Sequence, residues 1–299
     1  MDDAESLQRR RIFSRRGIIR PPFNPELQRY WYQRHQLFSR YERGVRLDAE
    51  SWFSATPEVV AATSSRLLTD ADSGKLFVDG FCGAGGNAIQ QALHDRHGIV
   101  VAIDIDPEKV ALARHNARIY GVEQRILFIV GDFVELAPRL KAHVCFLSPP
   151  WGGPEQAKAA SFPLASLAPL LSGTDGATLF DHAARIAPTI GYFLPVGVLD
   201  EELAELATRH PSGHCARCEL IWGTGDRKGK PGTEASDDFA AAGEASMAGN
   251  APAARPLTNP KKRRSDAPRA MLACFFDKTP AWLGASMRAV HASVVMCTA

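Results

Sequence analysis

The segment KLFVDGFCGAGGNAIQQALHD, Lys75 to Asp95, contains an apolar run, an acidic residue, a glycine-rich turn and an amphipathic helix, in that order. The apolar run predicts a buried strand that ends at Asp79, and the glycines allow a tight turn into the helix. Strand, turn and helix form the first half of a βαβ unit, so the segments that follow decide the fold.

Apolar strand segments continue to alternate with helical segments as far as residue 200. The predicted strands are IVVAIDID (99–106), RILFIVGDF (125–133), HVCFLSPP (143–150) and TIGYFLPVG (189–197). Strands without polar alternation imply a parallel sheet covered on both faces, which predicts an α/β fold. Two later segments, CELIWGTG (218–225) and RAMLACFFDK (269–278), are predicted to close the sheet as a pair.

Polar residues stand at the carboxyl ends of the first four predicted strands: Asp79, Asp104, Asp132 and Ser148. Ligands of parallel sheets bind beyond this edge, at the point where the strand order reverses. We therefore expect these four side chains to share one site.

The glycine turn does not match a phosphate-binding loop. Gly83, Gly85 and Gly86 give G-x-G-G rather than G-x-G-x-x-G, and no Walker lysine follows. Asp79 would repel a pyrophosphate, but its carboxylate suits a ligand with a cationic amino-acid portion. Asp104 is placed to accept both hydroxyls of a ribose, and Asp132 with Phe133 can bracket an adenine. Together these features predict S-adenosylmethionine as the cofactor.

The fourth predicted strand ends in SPPWGGPE, residues 148–155. Two prolines donate no N–H to a ladder and stiffen the chain, while the following glycines permit close approach. Trp151 then has two interpretations: a rigid platform for a flat ligand, or a core residue in a tight turn. The segment alone leaves both open.

The regions outside the alternating pattern differ in composition. Residues 1–24 are predicted to be a flexible basic arm, and residues 25–70 a helical extension that covers the active site. Within the extension, a helix over residues 25–43 and a second helix capped by Thr56, with Pro57 in its first turn, are expected. Residues 71–299 would form the catalytic domain, with a disordered insertion at about 225–268.

Composition excludes several other classes of protein. The 299 residues are 45% hydrophobic and carry a net charge of +2, and no apolar run has the length of a membrane span or a signal peptide. The six cysteines show no disulfide pattern. His210, His214, Cys215 and Cys218 have ligand chemistry, but neighbours on a strand point to opposite faces, so no metal is predicted.

Several segments of the chain resemble the trimethylguanosine synthase family of RNA cap methyltransferases. They are RYWYQRHQLFSRYERGVRLDAESWFSATPE (29–58), VDGFCGAGGNAIQ (78–90), VAIDIDPEKVALARHNARIYGV (101–122), GDF (131–133) and FLSPPWGGPE (146–155). The resemblance covers about residues 27–200. It implies a Rossmann-like class I methyltransferase that modifies the exocyclic N2 of 7-methylguanosine caps on small nuclear and nucleolar RNAs.

The resemblance also assigns roles to individual residues. Catalysis falls to Ser148, Pro149 and Trp151, and substrate binding to Arg29, Asn116, Ser148 and Trp151. The candidate cofactor residues are Thr56, Pro57, Asp79, Phe81, Gly83, Gly85, Asn87, Asp104, Ile105, Asp132 and Phe133. Gln156 and Val196 depart from the aromatic and basic residues that the family often has there. Both Arg29 and Asn116 have an alternative interpretation without substrate binding. Arg29 is then a solvent-exposed helix residue, and Asn116 caps its helix or is exposed to solvent.

The family also implies partners and a location. We expect a monomer that acts on capped RNA, meets ribonucleoprotein components and import receptors, and enters the nucleus (including nucleolar or Cajal-body-like foci), with a cytoplasmic pool. PKKRR at 260–264 is the candidate import signal. The sequence leaves two other functions open. One is methylation of an internal RNA base, which an additional RNA-binding domain would indicate; none is visible. The other is a catalytically weak RNA-binding coactivator, which the loss of Asp79, Asp104 or Ser148 would indicate; all three are present.

Overall fold

The computed structural model describes residues 27–153, 156, 159–211, 214–221, 269–276 and 293–298. The expected basic arm and the expected insertion with PKKRR lie outside these residues. Within them, no helix combines the length and the apolar composition needed to cross a bilayer.

The strands of the described residues form one mixed sheet in the order β3-β2-β1-β4-β5-β7-β6-β8. They are β1 (Leu76–Asp79), β2 (Ile99–Asp104), β3 (Ile126–Val130), β4 (Val144–Leu147), β5 (Thr189–Leu194), β6 (His214–Ile221), β7 (Arg269–Phe275) and β8 (Ser293–Thr298). The first five are parallel, and the last three pair antiparallel. All seven predicted strands are present, which confirms the α/β expectation.

Helices of the described residues connect and cover these strands. They are α1 (Gln28–Tyr32), α2 (Arg34–Leu37), α3 (Ser51–Ser54), α4 (Glu58–Leu68), α5 (Gly86–His94), α6 (Pro107–Tyr120), α7 (Phe133–Leu136), α8 (Gly176–Ile186) and α9 (Asp200–Arg209). The bounds of α6 follow from its sequence: the Asp106 carboxylate caps the Glu108 N–H, Pro107 occupies the first turn, and Gly121 ends the helix at φ +71°.

The core lies on both faces of the sheet. Along β2, Val100 and Ala102 face one apolar cluster, and Val101 and Ile103 face the other. Helices α4, α5 and α6 cover the first face, while α8 and α9 cover the second. Parallel strands buried on both faces, in the order β3-β2-β1-β4-β5, form a Rossmann-like sheet, as the sequence predicts.

The carboxyl-terminal strands form the antiparallel side of the sheet. β6 and β7 pair as expected, but β7 lies between β5 and β6 because it also pairs with β5. β8 pairs with β6 at the edge and was not among the predicted strands. Its sequence SVVMCT contains the β-branched pair that favours a strand.

The prediction of a single helix over residues 25–43 is wrong. The chain forms α1, α2 and a short 3-10 turn, and it leaves the helical conformation at Phe38, where φ is −143°. The Phe38 ring is 2% exposed in the core. The Ser39 N–H and hydroxyl both donate to the Glu58 carboxylate, at 2.6 and 2.8 Å. Contacts with a residue far along the chain therefore outweigh local helical periodicity.

The prediction that Thr56 caps α4 is also wrong. Pro57 occupies the cap position, with no side-chain hydrogen bond to the helix. The Thr56 hydroxyl instead accepts a hydrogen bond from Asn87 Nδ2 at 3.1 Å, and Thr56 is buried. This bond ties the amino-terminal extension to α5.

Candidate active site

A cavity of about 630 Å³ lies at the carboxyl ends of the parallel strands. The loops after β1, β2, β3 and β4 contribute Gly80–Ala84, Asp104–Asp106, Asp132–Val134 and Ser148–Gly153 to its wall. β1 and β4 are neighbours in the sheet, so the strand order reverses between them. The cavity therefore occupies the switch point at which α/β sheets bind ligands.

The structure brings most of the predicted site residues to this wall. Those that line the cavity are Thr56, Phe81, Gly83, Asn87, Asp104, Ile105, Asp132, Phe133, Ser148, Pro149 and Trp151. Those that do not are Arg29, Pro57, Asp79, Gly85 and Asn116. Three of the latter set, Pro57, Asp79 and Gly85, are each adjacent in sequence to a wall residue.

Gly85 allows the turn after β1 to pack closely against α6. Its φ is +93°, and a Cβ atom there would lie 3.0 Å from the Ala113 Cα atom. Any other residue would be strained in conformation and would displace α6. Gly85 thus shapes the turn from behind the wall.

Asp79 lies beneath the wall. Its side chain is fully buried, Oδ1 accepts the Phe81 N–H at 3.3 Å, and Oδ2 has no hydrogen-bond partner among the described residues. Burial, opposed by the Phe81 hydrogen bond and reinforced by the charge of Asp104, raises the pKa of Asp79 to about 7. A buried carboxyl with an unused oxygen favours a ligand that brings a positive charge or a hydrogen-bond donor.

The raised pKa of Asp79 predicts a pH-dependent affinity for a cofactor with an ammonium group. Below about pH 7 the carboxyl is neutral, and each lower pH unit should weaken binding by about tenfold. Above that pH the affinity should level off. Calorimetric titration with S-adenosylhomocysteine between pH 5.5 and 8.5 measures the profile. Asp79→Asn should bind weakly with a flat profile, and a wild-type profile that stays flat would exclude Asp79 from cofactor binding.

The same group affects the stability of the ligand-free protein in the opposite direction. Its pKa is about 7 in the folded chain against a reference value of 3.8, so between these values only the folded state keeps the proton. Stability should therefore fall as pH rises from about 4 to 7. Asp79→Asn should lose this dependence in thermal melts.

Asp104 lies on the wall at the end of β2. Its Oδ2 accepts the Gly83 N–H at 2.8 Å and its Oδ1 accepts the Asp106 N–H at 3.0 Å. Burial raises the pKa of Asp104, against the effect of these two N–H groups and of nearby Lys109. Each oxygen keeps lone-pair capacity for one more donor, which is the arrangement that a pair of ribose hydroxyls requires.

The loops after β2 and β3 provide an apolar part of the wall next to the Asp132 carboxylate. Asp132 Oδ1 caps α7 by accepting the Val134 N–H at 2.7 Å. Phe133 is 2% exposed and packs against Phe81 with ring centroids 5.7 Å apart. Ile105 contributes an apolar side chain that is 66% exposed. An adenine ring can cover Ile105 and Phe133 while its amino group meets the Asp132 carboxylate.

Ser148, Pro149 and Trp151 form the wall after β4. The Trp151 N–H donates to the Phe193 carbonyl at 3.2 Å, and the two rings lie 5.3 Å apart. Trp151 is only partly buried, and it lines the cavity while packing against both core clusters. One part of Trp151 therefore packs and another faces the cavity, and its role as a platform for a flat ligand stays a prediction. Its ring orientation is fixed by β5.

The assignment of Asn116 to substrate binding is wrong. Its side chain is 0% exposed, its Nδ2 donates to the carbonyls of Arg46 and Ala84, and its Oδ1 accepts the Arg46 N–H, all at 2.9 Å. Both amide N–H groups and the amide oxygen thus have partners, and these bonds join the extension at Arg46 to the turn after β1 at Ala84. Arg29 is exposed and lies off the cavity wall, so its role in substrate binding stays a prediction.

The described residues give no support for a metal site. No group of three or more His, Cys, Asp or Glu side chains has suitable geometry within the described ranges. Cys215 and Cys218 pack in the clusters on opposite faces of the sheet. The His210 Nε2 lies 3.1 Å from the Pro188 carbonyl.

Some wall residues were not predicted from the sequence. Lys109 lines the cavity together with Asp104, and its Nζ is 2.7 Å from Glu50 Oε2 and 3.9 Å from Asp48 Oδ2. Leu170 and Leu171 also line the cavity, and a Cβ atom on Gly152 would lie 3.7 Å from Leu170 Cδ1. Because Lys109 follows Asp104 by only five residues, its position near the cavity could have been predicted from the sequence. Leu170 ends a short 3-10 helix, Leu164–Leu170, and Leu171 follows it directly; no element is predicted there from the sequence.

The fold and the site together fit S-adenosylmethionine. The unused Asp79 oxygen, the Asp104 carboxylate and the Ile105–Phe133 surface each match a different part of that cofactor. A Rossmann-like sheet with this acid-lined switch point defines an S-adenosylmethionine-dependent methyltransferase.

Comparison with known proteins gives the family. A profile of the RNA cap guanine-N2 methyltransferase family matches residues 74–226, about half of the chain. Trimethylguanosine synthase of Schizosaccharomyces pombe is 39% identical over 64% of this chain and 80% of that protein. Trimethylguanosine synthase of Saccharomyces cerevisiae is 31% identical over 68% of this chain and 65% of that protein, just under two thirds of its length. The chain belongs to the RNA cap guanine-N2 methyltransferase family.

A solved structure shows a weaker likeness. The S-adenosylmethionine-dependent methyltransferase from Agrobacterium tumefaciens has a TM-score of 0.49 and 14% identity, over 75% of this chain and 64% of that chain.

Proposed function

We propose that this chain transfers methyl groups from S-adenosylmethionine to the exocyclic N2 of 7-methylguanosine caps and converts them to 2,2,7-trimethylguanosine. The observation that carries the proposal is the position of Trp151. Its indole N–H donates to the Phe193 carbonyl, and Trp151 lines the same cavity as Ser148. The family profile and the two yeast relatives support the choice of a cap over an internal RNA base.

Trp151 accounts for a preference for a methylated cap. Guanine methylated at N7 carries a delocalised positive charge, which the π face of an indole attracts by about 2 kcal/mol when the pair is desolvated. Unmethylated guanine lacks that attraction. Methylation at N7 should therefore precede methylation at N2.

Ser148 and Pro149 orient the amino group that accepts the methyl group. The Ser148 hydroxyl and the Pro149 carbonyl can accept the N2 hydrogens and hold the nitrogen lone pair towards the cofactor. Bound S-adenosylmethionine supplies an electrophilic methyl group. With the cofactor bound, these two groups would hold N2 in line with the methyl–sulfur bond, and the proton that N2 loses on methylation would pass to water. A strong general base is not required, so alignment provides most of the rate enhancement.

Product analysis tests the proposed reaction. The protein is incubated with S-adenosylmethionine and m7GTP, and the product is digested to nucleosides and separated by mass spectrometry. We expect methyl groups on N2, first one and then two. Methyl groups on ribose or on another ring nitrogen would contradict the proposal.

The RNA substrates and the cellular location extend the same proposal. We expect small nuclear and nucleolar RNAs as substrates and nuclear accumulation directed by Lys261, Lys262, Arg263 and Arg264. Alanine at these four positions in a fluorescently tagged chain should reduce nuclear signal without changing methylation of m7GTP. Alanine at Arg9, Arg10 and Arg11 is the matched control. If only the control variant loses its nuclear fluorescence, the import signal lies among the amino-terminal arginines instead.

A further inference from the structure

Three side chains of the amino-terminal extension form a continuous surface outward from the cavity. Phe53 on α3 contributes to the cavity wall and is 38% exposed. Tyr30 on α1 follows, with its ring centroid 6.3 Å from that of Phe53. The Arg29 guanidinium lies 4.6 Å from the centroid of the Tyr30 ring and donates from Nη2 to the Tyr30 hydroxyl at 2.7 Å. We call Phe53, Tyr30 and Arg29 the aromatic ledge.

The charge of the aromatic ledge is not neutralised locally. Among the described residues, no carboxylate lies within 4.0 Å of the Arg29 guanidinium. The acidic wall residue Glu50 is paired with Lys109 at 2.7 Å. Two aromatic rings and one available cation therefore extend from the cavity.

Surfaces of this kind bind single-stranded nucleic acid. Aromatic faces stack bases without regard to sequence, and arginine meets the phosphates between them. We infer that the aromatic ledge binds the first nucleotides of a single-stranded RNA whose cap occupies the cavity. This inference rests on the proposed function, because it assigns the bound cap a polynucleotide continuation.

Binding measurements on the full chain separate the ledge from the cap site. Dissociation constants are measured by calorimetry for m7GTP and for an m7G-capped pentaribonucleotide, each with S-adenosylhomocysteine present. Stacking of one or two bases should make the capped RNA bind about tenfold more tightly than m7GTP. Tyr30→Ala, at a ledge residue that does not line the cavity, should remove most of this preference and leave the m7GTP constant within about twofold, whereas Tyr30→Phe should retain it.

Tyr32 provides a matched control. It is 61% exposed and stands two residues after Tyr30, about 200° around the helix, so it faces away from the ledge. Tyr32→Ala should therefore bind both ligands like the wild type. Thermal melts confirm that each variant is folded.

Two results would overturn the inference. One is equal affinity of the wild type for the two ligands, and the other is a Tyr30→Ala variant that weakens both ligands equally. Failure of the proposed function would look different, because methyl transfer would be absent or misplaced in the product analysis. The binding constants report on the ledge in either case.

Discussion

Replacement of Trp151 by alanine is expected to lower kcat/KM for m7GTP by about 100-fold or more, since stacking and cation–π attraction together contribute about 3 kcal/mol. S-adenosylhomocysteine should bind nearly as well as to the wild type, because Trp151 lies after β4 and the cofactor residues follow β1, β2 and β3. The variant should melt at a lower temperature, because the contact with the Phe193 ring is lost. We expect a folded protein that binds cofactor and is inactive.

Trp151→Phe is the graded control. A phenyl ring can still pack against Phe193 and stack on a base, but it gives a weaker cation–π attraction and cannot donate to the Phe193 carbonyl. Activity between those of the wild type and Trp151→Ala is expected. A Trp151→Ala protein that binds cofactor and methylates m7GTP at the wild-type rate would show that Trp151 only packs.

Replacement of Asp104 by alanine should weaken cofactor binding by about 100-fold or more. The variant loses two acceptors for ribose hydroxyls, and a hydrogen bond to a charged group contributes about 1.5–3 kcal/mol. It also leaves the Gly83 and Asp106 N–H groups without their acceptor, which loosens the turn at the cofactor. Calorimetric titration with S-adenosylhomocysteine measures the effect.

Asp104→Asn distinguishes charge from shape. The amide keeps the size of the side chain but retains a single acceptor oxygen, so an intermediate loss of affinity is expected. An Asp104→Ala variant with the dissociation constant of the wild type would place the cofactor elsewhere in the molecule.

The sequence predicted the parallel sheet and the residues at its carboxyl edge, because both depend on local patterns. Apolar strands of four to six residues and a glycine turn have few alternative structures. Parallel strands present their ends at one edge, so Asp104, Asp132 and Ser148 had to meet there. The family resemblance added the cap as substrate, which the pattern of strands alone did not indicate.

The errors share a physical cause, which is contact between residues distant in sequence. Phe38 and Ser39 leave the helical conformation because the core and Glu58 bind them. Asn116 has the spacing of an exposed helix residue, but the Arg46 backbone covers it. No periodicity within a helix or strand carries information about such partners.

The central claim is that a cationic, N7-methylated guanine is recognised on Trp151 and methylated at N2. Labelled S-adenosylmethionine with equal concentrations of m7GTP or GTP tests it most directly. We expect a kcat/KM for m7GTP about 30-fold or more above that for GTP, which corresponds to the cation–π attraction of about 2 kcal/mol. Transfer to GTP as efficient as transfer to m7GTP would contradict it.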